Sequence, residues 1–374
     1  MTGTPAKAAV LREFNAPISV EQVDYRPPTA RRVLIRTGAA PFCSTDVTNW
    51  RGKLGKVLPT ILGHAAMGVI EAVGPEVEHL RIGQRVIVPG TPECGVCFYC
   101  GIGRPDQCSE LFDRPGRSAT SDGYQPVADG ADGGPVTAAG LVGGYSQLMR
   151  MHESQVFPVE SELPDEQLSL LGCGVTSGAG SVFNAAQVAP GESVVVIGLG
   201  HLGLWTVQAA RVAGASEIIA VDPITARREL AGALGATRLV DPTADDAISA
   251  VHAVTGGRGA DHVIETAGPP EAAELAPRLS RRAGTIVFTG VKQIGTTVTF
   301  DQPAISVDGR RIIGTQNGQV HMRRDLPRFI RLIESGAMTA EPIITRRYSL
   351  EQIDEALANS RDHVDVCGVL MPPW

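Results

Sequence analysis

Four of the seven cysteines stand within fifteen residues, in PECGVCFYCGIGRPDQC. Their spacing is C-x2-C-x2-C-x7-C, from Cys94 through Cys97 and Cys100 to Cys108. Four thiolates this close can complete a tetrahedral zinc site. The bacterial iron–sulfur run ends in C-x3-C-P, whereas here the last gap is seven residues and a serine follows. The spacing therefore favours a structural zinc lobe at about residues 92–110, with no coordination position left for a substrate.

Three further residues can bind a metal but lie far apart: Cys43 in FCSTDV, His64 in ILGHAAMGVI and Cys173 in LGCGVTSG. A lone histidine among small and apolar side chains is commonly a core residue, although neutral imidazole is also the most frequent metal ligand. Two cysteines and one histidine form a catalytic type of zinc site whose fourth position is open. Spacing alone does not unite these three residues.

A glycine-rich turn in VVVIGLGHLG carries Gly198-x-Gly200-x-x-Gly203 between a predicted strand and a predicted helix. That context is the one required for dinucleotide binding, with the pyrophosphate at the helix N-terminus. Asp222 ends the next predicted strand, nineteen residues beyond Gly203. A carboxylate there accepts hydrogen bonds from ribose hydroxyls and repels a 2′-phosphate, which favours NAD over NADP. Arg227 can flank the same ribose and weakens that preference.

The elements that must position these residues fall into three parts. The first 170 or so residues contain β-branched runs separated by Gly and Pro, which indicates a mostly β domain. From Glu192, strands and helices alternate, which predicts a doubly wound parallel sheet and an α/β fold class. Two helices and a short apolar run then return the chain to the first domain. We expect domains at 1–174, 175–314 and 315–374, and a long surface loop at 113–144.

Composition limits the partners. The net charge of −7 argues against nucleic acid or an anionic membrane as a partner bound through bulk electrostatics. There is no run of about 20 apolar residues and no signal-peptide pattern at the N-terminus, so we expect a cytoplasmic protein. An odd cysteine count in a chain of this length argues against a disulfide framework.

Taken in order, these motifs resemble those of the zinc-dependent alcohol dehydrogenases in the medium-chain dehydrogenase/reductase family. The matching motifs are C-x-T-D, G-H, the four-cysteine lobe, G-C-G and GxGxxG. The resemblance implies a GroES-like catalytic domain, a Rossmann domain, NAD, and two zinc ions per subunit, one catalytic and one structural. The long segment after Cys108 is similar to that of the family's dimeric branch, so we expect a homodimer.

Carried over by position, the resemblance assigns the catalytic zinc to Cys43, His64 and Cys173. Asp46 would accept a hydrogen bond from His64 and fix its tautomer. Thr45 would hydrogen-bond the substrate oxygen and start a proton relay. The implied cofactor residues are Ser177, Gly198, Gly200, His201, Leu202, Gly203, Asp222, Arg227 and Val291.

The activity implied is hydride transfer between an alcohol and NAD⁺, or reduction of an aldehyde or ketone with NADH, in which zinc lowers the pKa of the bound alcohol. An NAD(P)H-dependent reductase of an imine or conjugated alkene is one alternative, and a non-catalytic nucleotide-binding zinc protein is another. Weaker candidates for the substrate pocket are Trp50, Phe112, Tyr145 and Leu148.

Four positions depart from the family pattern. Ala65 replaces a glutamate after the zinc-binding histidine, and Ser44 and Cys367 stand where arginines often contact the pyrophosphate. We expect weaker pyrophosphate binding, with His201 or backbone amides compensating. Thr48 stands where several members have a relay histidine. Because threonine cannot act as a base near pH 7, we expect proton release through water or buffer.

Overall fold

The computed structural model describes residues 3–55, 57–112, 126–290 and 293–373. The chain divides into two compact units. The first comprises Met1–Cys173, His321–Ile330 and Ile344–Trp374, and the second comprises Gly174–Val320 and Arg331–Ile343. The segment after residue 320 is therefore shared between the units.

The described residues form eighteen strands and twelve α-helices. The strands are β1 Thr4–Leu11, β2 Ser19–Tyr25, β3 Arg32–Pro41, β4 Thr60–Ile61, β5 Ala66–Val73, β6 Arg85–Val88, β7 Ala128–Asp129, β8 Pro135–Ala138, β9 Leu148–His152, β10 Phe157–Pro158, β11 Ser193–Ile197, β12 Glu217–Val221, β13 Arg238–Val240, β14 Ala260–Glu265, β15 Ser280–Phe288, β16 Arg311–Gly314, β17 Ile344–Tyr348 and β18 Cys367–Leu370. The helices are α1 Ser44–Trp50, α2 Phe98–Gly101, α3 Ser109–Phe112, α4 Asp165–Ser169, α5 Gly174–Gly180, α6 His201–Val212, α7 Thr225–Ala233, α8 Ala247–Val254, α9 Pro270–Leu279, α10 Gln302–Ser306, α11 Met322–Glu334 and α12 Ile353–Arg361.

The first unit contains a closed barrel and a seven-stranded sheet. The barrel order is β1-β2-β7-β8-β4, and the sheet order is β10-β6-β5-β3-β18-β17, with β9 also pairing with β3. β3 is central to that sheet, and nine of its ten residues are buried. A strand buried on both faces lacks polar alternation, which matches its sequence RVLIRTGAAP.

The prediction of one long surface loop at 113–144 is wrong for its described part, residues 126–144. β7 and β8 pair antiparallel there and join the barrel. Ala128 and Val136 are fully buried, and Val142 is nearly so. Ala128 and Val136 belong to the core of the barrel, whereas Val142 belongs to the core of the neighbouring sheet. The surrounding Gly and Asp residues form the turns. The composition of residues 113–144 as a whole does not show which of these positions are buried and which are exposed.

The second unit is built on a six-stranded parallel sheet, in the order β13-β12-β11-β14-β15-β16. All five residues of β11, SVVVI, are buried. From β11 the chain adds β12 and β13 on one side of the sheet, and then adds β14, β15 and β16 on the other side, so the direction of strand addition reverses between β11 and β14. In such sheets ligands bind at the carboxyl ends of the strands near that reversal. The predicted doubly wound sheet is confirmed, and with it the α/β class.

Several elements differ from their sequence-based prediction. The helix expected to extend through Arg282 ends at Leu279, and Ser280 begins β15. No glycine or polar cluster separates the two elements, so the sequence gives no boundary signal. β17 and α10 were not anticipated. Among the described residues, no helix is long and apolar enough to cross a membrane.

Candidate functional site

The start of α1 positions the first candidate ligand. β3 ends at Pro41, and Cys43 is the N-cap residue of α1 in extended conformation. The Asp46 carboxylate Oδ2 accepts a hydrogen bond from the Cys43 backbone N–H at 3.1 Å. This capping contact fixes the first turn of the helix. It also places a fully buried carboxylate beside the cysteine.

His64 lies in a bend between β4 and β5 rather than inside a strand. Gly63 has a left-handed φ of 87°, and a Cβ there would lie 2.7 Å from the Tyr145 ring. A Cβ on Gly140 would lie 2.7 Å from the Cβ of His64, and one on Gly90 would lie 2.8 Å from its carbonyl oxygen. The glycines at 90 and 140 therefore let their backbone segments approach the carbonyl oxygen and Cβ of His64 closely. The His64 side chain is 12% exposed.

The structure brings Cys43, His64 and Cys173 together. One potential ligand atom from each lies within 4.8 Å of the other two. The His64 Nε2 atom is 3.2 Å from the Cys173 Sγ. Cys173 follows the short turn Leu170–Gly172 at the end of the first unit. Two sulfurs and one nitrogen this close suit zinc and leave a fourth position open.

Asp46 determines how His64 is presented. Its Oδ1 is 3.0 Å from His64 Nδ1, so Nδ1–H donates to the carboxylate and Nε2 is the ligand atom. Burial opposes the charged imidazole, but Asp46 and Cys43 outweigh it and raise the pKa of His64 to about 10. The Cys43 contact and burial raise the pKa of the Cys173 thiol well above its usual value. Asp46, Cys43 and Cys173 concentrate negative charge around His64, and a bound cation would reduce the repulsion between them.

The two threonines of α1 differ in their contacts. The Thr45 Oγ1 is 3.7 Å from the Cys43 Sγ, so this hydroxyl borders the three-residue set. The Thr48 hydroxyl instead donates to the Ser44 carbonyl at 2.9 Å, one helical turn earlier. Thr45 is therefore the better placed of the two to contact a substrate oxygen.

Two of the departing positions, Ala65 and Cys367, are buried. Ala65 is fully buried, and a Cβ on Gly172 would come within 2.9 Å of its methyl carbon. Cys367 is 1% exposed, and its thiol donates to the Phe42 carbonyl oxygen at 3.6 Å. Burial and the negative charge of Cys43 raise the pKa of the Cys367 thiol well above its usual value. Ser44, by contrast, is exposed.

The four-cysteine lobe forms a second cluster. The sulfurs of Cys94, Cys97, Cys100 and Cys108 all lie within 4.8 Å of one another. The Cys94–Cys100 and Cys97–Cys108 sulfur pairs are each 4.0 Å apart. Sulfurs roughly 2.3 Å from a tetrahedral zinc would be about 3.8 Å apart, so the donor set fits the ion.

Backbone amides already prepare one thiolate of the lobe. Burial opposes ionisation of Cys97, but the Cys100 and Ser109 amides outweigh it and lower the pKa of Cys97 to about 6. Burial raises the pKa of Cys100 to about 12, and it raises that of Cys108 as well. Zinc binding would therefore release protons from the last two thiols.

The glycine-rich turn has the geometry of a phosphate cradle. Gly198 follows β11 with φ 89°, and a Cβ on Gly203 would lie 1.9 Å from the Gly198 carbonyl oxygen, so the helix approaches the strand closely. A Cβ on Gly200 would meet only the Arg227 guanidinium, at 3.9 Å. Space above the middle glycine, next to free helix N–H groups, is what a pyrophosphate requires. Leu202, in the first turn of α6, is half-buried.

Asp222 lies at the carboxyl end of β12 and is 4% exposed. Its Oδ2 accepts the Leu199 backbone N–H at 2.7 Å, and its Oδ1 accepts that of Ile224 at 2.8 Å. The carboxylate is thus held next to the glycine-rich turn, where the predicted ribose contact needs it. Arg228 was missed: it donates to the Asp222 carbonyl oxygen at 2.7 Å. In the sequence, the position of Arg228 next to Arg227 was the only indication of this contact.

The remaining cofactor candidates meet around α5. His201 is buried against this helix, because a Cβ on Gly174 would lie 1.8 Å from its Nε2. Ser177 is also buried, and its hydroxyl donates to the Asn317 side chain. Asn317 was not anticipated, since no motif surrounds it. Val291 lies outside the described residues.

Three weaker pocket candidates pack in the core. Tyr145 is fully buried and stacks on Phe42 with ring centroids 4.5 Å apart. Leu148 is 5% exposed inside the barrel cluster. The Trp50 indole donates to the Ala16 carbonyl at 2.8 Å and packs on the first core. Phe112 is 51% exposed at the end of α3.

Comparison with known families matches both parts of the chain. Residues 29–161 match the alcohol dehydrogenase GroES-like domain. Residues 202–335 match the zinc-binding dehydrogenase family.

Individual relatives agree with this assignment. The chain is 33% identical to an NDMA-dependent alcohol dehydrogenase of Amycolatopsis methanolica, covering 98% of both chains. It is 35% identical to a geraniol dehydrogenase of Castellaniella defragrans, covering 94% of both. The crystal structure of benzyl alcohol dehydrogenase from Acinetobacter calcoaceticus superposes with a TM-score of 0.89 at 30% identity. That match covers 98% of this chain and 99% of the other.

Proposed function

Because the chain belongs to the zinc-dependent alcohol dehydrogenases of the medium-chain dehydrogenase/reductase family, which interconvert alcohols and carbonyl compounds, we propose that it does so with NAD as hydride carrier. Cys43, His64 and Cys173 would hold the catalytic zinc, and the four-cysteine lobe would hold a structural one. One observation carries the proposal: the three-residue set converges within 4.8 Å, with Asp46 hydrogen-bonded to its histidine.

The two bound groups would supply different chemistry: zinc acts as a Lewis acid toward the substrate oxygen, and the nicotinamide carries the hydride. The protein's own contribution is orientation. Asp46 holds His64 in the tautomer that presents Nε2 and stabilises positive charge on the ring. The Thr45 hydroxyl accepts the alcohol proton and passes it to water. Thr48 takes no part in this path, because its hydroxyl is engaged with the Ser44 carbonyl.

The choice of NAD rests on Asp222. Its carboxylate is held at the end of β12 beside the glycine-rich turn, where it would bind the ribose hydroxyls and repel a 2′-phosphate. Arg227, whose guanidinium lies over Gly200, would face the pyrophosphate. That cation would offset the absence of arginine at positions 44 and 367. Ser177, His201 and Leu202 would complete the cofactor site.

The relatives support a substrate class. Two of them are named for geraniol and for benzyl alcohol, which are both primary alcohols next to an unsaturated carbon. We propose that this chain acts on apolar primary alcohols of that kind.

We also propose a cytoplasmic homodimer. The seven cysteines are free, as a reducing compartment would keep them. β16 is an edge strand of the parallel sheet and mostly exposed, so a second copy could cover it. Light scattering of the purified protein would give the mass of a dimer, and the mass of a monomer or a tetramer would contradict it.

The test of the function is a screen of geraniol, benzyl alcohol and their saturated analogues with NAD⁺ and with NADP⁺, followed by NADH absorbance. We expect turnover with the unsaturated alcohols, and a higher kcat/KM for NAD⁺ than for NADP⁺. Equal or better use of NADP⁺ would contradict the cofactor proposal. No turnover of any alcohol or aldehyde by zinc-loaded protein would contradict the activity.

A further inference from the structure

Cys367 is the one cysteine of the chain that neither proposed zinc site uses. It begins β18, the strand near the end of the chain that pairs antiparallel with β3. The residue is 1% exposed. A buried thiol is ordinarily inert, so what Cys367 can do depends on the residue that lies opposite it.

The pairing of β3 with β18 continues beyond the end of β3. Val369 lies opposite Pro41. One residue further along, the Phe42 N–H donates to the Gly368 carbonyl oxygen at 2.8 Å. Phe42 and Gly368 are thus a hydrogen-bonded pair, and the pairs on either side of it are non-hydrogen-bonded, because the two kinds alternate in an antiparallel ladder. Pro41 fits that alternation, since it has no N–H to donate.

The next pair in this register is Cys43 with Cys367. Cys43 has an extended backbone, with φ −136° and ψ 159°, so it continues the strand conformation up to the start of α1. Residues in a non-hydrogen-bonded pair have Cα atoms about 4.5 Å apart and side chains on the same face of the sheet. A disulfide requires Cα atoms roughly 4.4–6.8 Å apart. The register therefore brings the two cysteines within the range that a disulfide can close.

Two further observations place the Cys367 thiol beside Cys43. Its S–H donates at 3.6 Å to the Phe42 carbonyl oxygen, which belongs to the peptide bond that leads into Cys43. Burial, and after it the negative charge of Cys43, raises the pKa of the Cys367 thiol well above its usual value. A charge acts this strongly only at short distance. Contact and charge thus agree with the register.

We propose that Cys43 and Cys367 form a reversible disulfide when the protein meets hydrogen peroxide or an organic hydroperoxide, and that this bond switches off the catalytic zinc site. The Cys43 thiolate attacks one peroxide oxygen and breaks the O–O bond, which gives a sulfenic acid and releases hydroxide or alkoxide. The Cys367 sulfur then attacks the Cys43 sulfur, and the sulfenic hydroxyl leaves with the Cys367 proton as water. The two sulfurs together lose two electrons, which the peroxide takes up.

The bond would remove one of the three ligands of the catalytic zinc. A sulfur in a disulfide is no longer a thiolate, and only the thiolate binds the metal. His64 and Cys173 would remain, and two ligands hold zinc less tightly than three. A thiol reductant would cleave the bond and restore the ligand. The inference rests on the proposed zinc site, but the bond itself is detected without any turnover.

Peptide mapping identifies the bond directly. Trypsin places Cys43 on residues 37–51, Cys173 on 151–211 and Cys367 on 362–374, while the four cysteines of the lobe share one further peptide. Zinc-loaded wild-type protein is treated with hydrogen peroxide, alkylated and digested, and the released zinc is measured with a metal-binding dye. Cys367→Ser is the matched variant, because the serine hydroxyl can still donate to the Phe42 carbonyl.

We expect the wild type to lose its catalytic zinc and to yield 37–51 joined to 362–374, at least about tenfold more than 37–51 joined to 151–211. A dithiol reductant with added zinc should then restore two zinc ions per subunit. In Cys367→Ser the Cys43 sulfenic acid lacks its partner and should proceed to the sulfinic acid, which thiols do not reduce. That variant should regain less than about half of the lost zinc.

Three results would overturn the proposal: 37–51 joined mainly to 151–211 in the wild type, wild-type Cys43 recovered as a sulfinic acid, and full recovery of zinc by Cys367→Ser. If Cys367→Ser does not fold, the peptide map of the wild type decides alone. A wild-type protein that forms the bond between Cys43 and Cys367 but never holds zinc at Cys43, His64 and Cys173 would support the disulfide and contradict the proposed function.

Discussion

The two cysteine clusters of this chain are built in opposite ways. The lobe takes four thiols from fifteen consecutive residues, and three of them are only half-buried. The other cluster takes Cys43, His64 and Cys173 from three distant segments and surrounds them with glycines and a fully buried aspartate. The first needs only a short loop, whereas the second exists only when the barrel and the large sheet have formed.

This difference separates structural from chemical use of a metal. Four thiolates complete the coordination of zinc and leave no place for a substrate, so the lobe's ion can only hold its loop together. Three ligands leave one position open, and Asp46 tunes the histidine among them. Removing one ligand from the set of Cys43, His64 and Cys173 should therefore abolish turnover. Removing one ligand from the four-cysteine lobe should instead reduce the stability of the fold.

His64→Ala is the variant with the largest expected effect. It should reduce kcat/KM by a factor of at least about 10³, because the Lewis acid that activates the alcohol is lost. Zinc content should fall from two ions per subunit to one. Steady-state kinetics and metal analysis on the same sample measure both quantities.

His152→Ala is the matched control for that variant. His152 lies in β9 of the first unit, where its ring bonds to Ser154, and it belongs to neither cluster. It should keep both zinc ions and activity within about threefold of wild type. A similar loss of activity in both variants would mean that the effect of His64→Ala is not specific to the metal.

Cys108→Ser should act mainly on stability. Cys108 is the fully buried member of the lobe, and without it the structural zinc loses a ligand. We expect the free energy of unfolding to fall by at least about 3 kcal/mol. The value of kcat, expressed per zinc ion still bound at Cys43, His64 and Cys173, should fall less than about tenfold. Urea denaturation and kinetics test this. A loss of kcat as large as that of His64→Ala, in folded protein, would contradict the division of roles.

Asp46→Asn should have an intermediate effect. An amide can still accept from His64 Nδ1–H, but it cannot balance positive charge on the ring. Loss of such an outer partner typically costs about 10–100-fold in activity or metal affinity. The decrease should appear in kcat and in resistance to chelators, while the zinc of the lobe is retained. Wild-type kcat in this variant would mean that the charge of Asp46 is not used.

Asp222→Asn should have the smallest effect and leave both clusters filled. Removing the negative charge lowers the repulsion of a 2′-phosphate, so the ratio of kcat/KM for NAD⁺ to that for NADP⁺ should fall about tenfold. Zinc content should remain at two per subunit. An unchanged ratio would show that another group, with Arg227 the first candidate, sets the preference.

The two clusters also differ in how far the sequence predicts them. The spacing of Cys94, Cys97, Cys100 and Cys108 is sufficient, because ligands close in sequence are close in any fold. Cys43, His64 and Cys173 could be united only through the resemblance to a family. No local pattern encodes a contact between the start of α1, the bend before β5 and the turn that follows α4.

Other features of the fold were also predictable only where their pattern is local in the sequence. The strand–helix alternation after Glu192 predicted the parallel sheet, because its period is local. The barrel strands β7 and β8 were hidden in a Gly- and Asp-rich stretch, since two to four residues are too few to show alternation. The buried position of Asn317 was not anticipated, because its hydrogen-bond partners, Thr176 and Ser177, are about 140 residues away in the sequence.

The most direct test of the central claim uses cobalt(II), whose visible spectrum reports the ligands of a tetrahedral site. Cobalt-substituted wild-type protein is titrated with geraniol or benzyl alcohol, with His64→Ala as reference. We expect a saturable spectral change in the wild type and none in the variant, because only the set of Cys43, His64 and Cys173 leaves a coordination position open. An unchanged spectrum in wild-type protein that is turning over the alcohol would contradict the claim that the substrate binds at the metal of Cys43, His64 and Cys173.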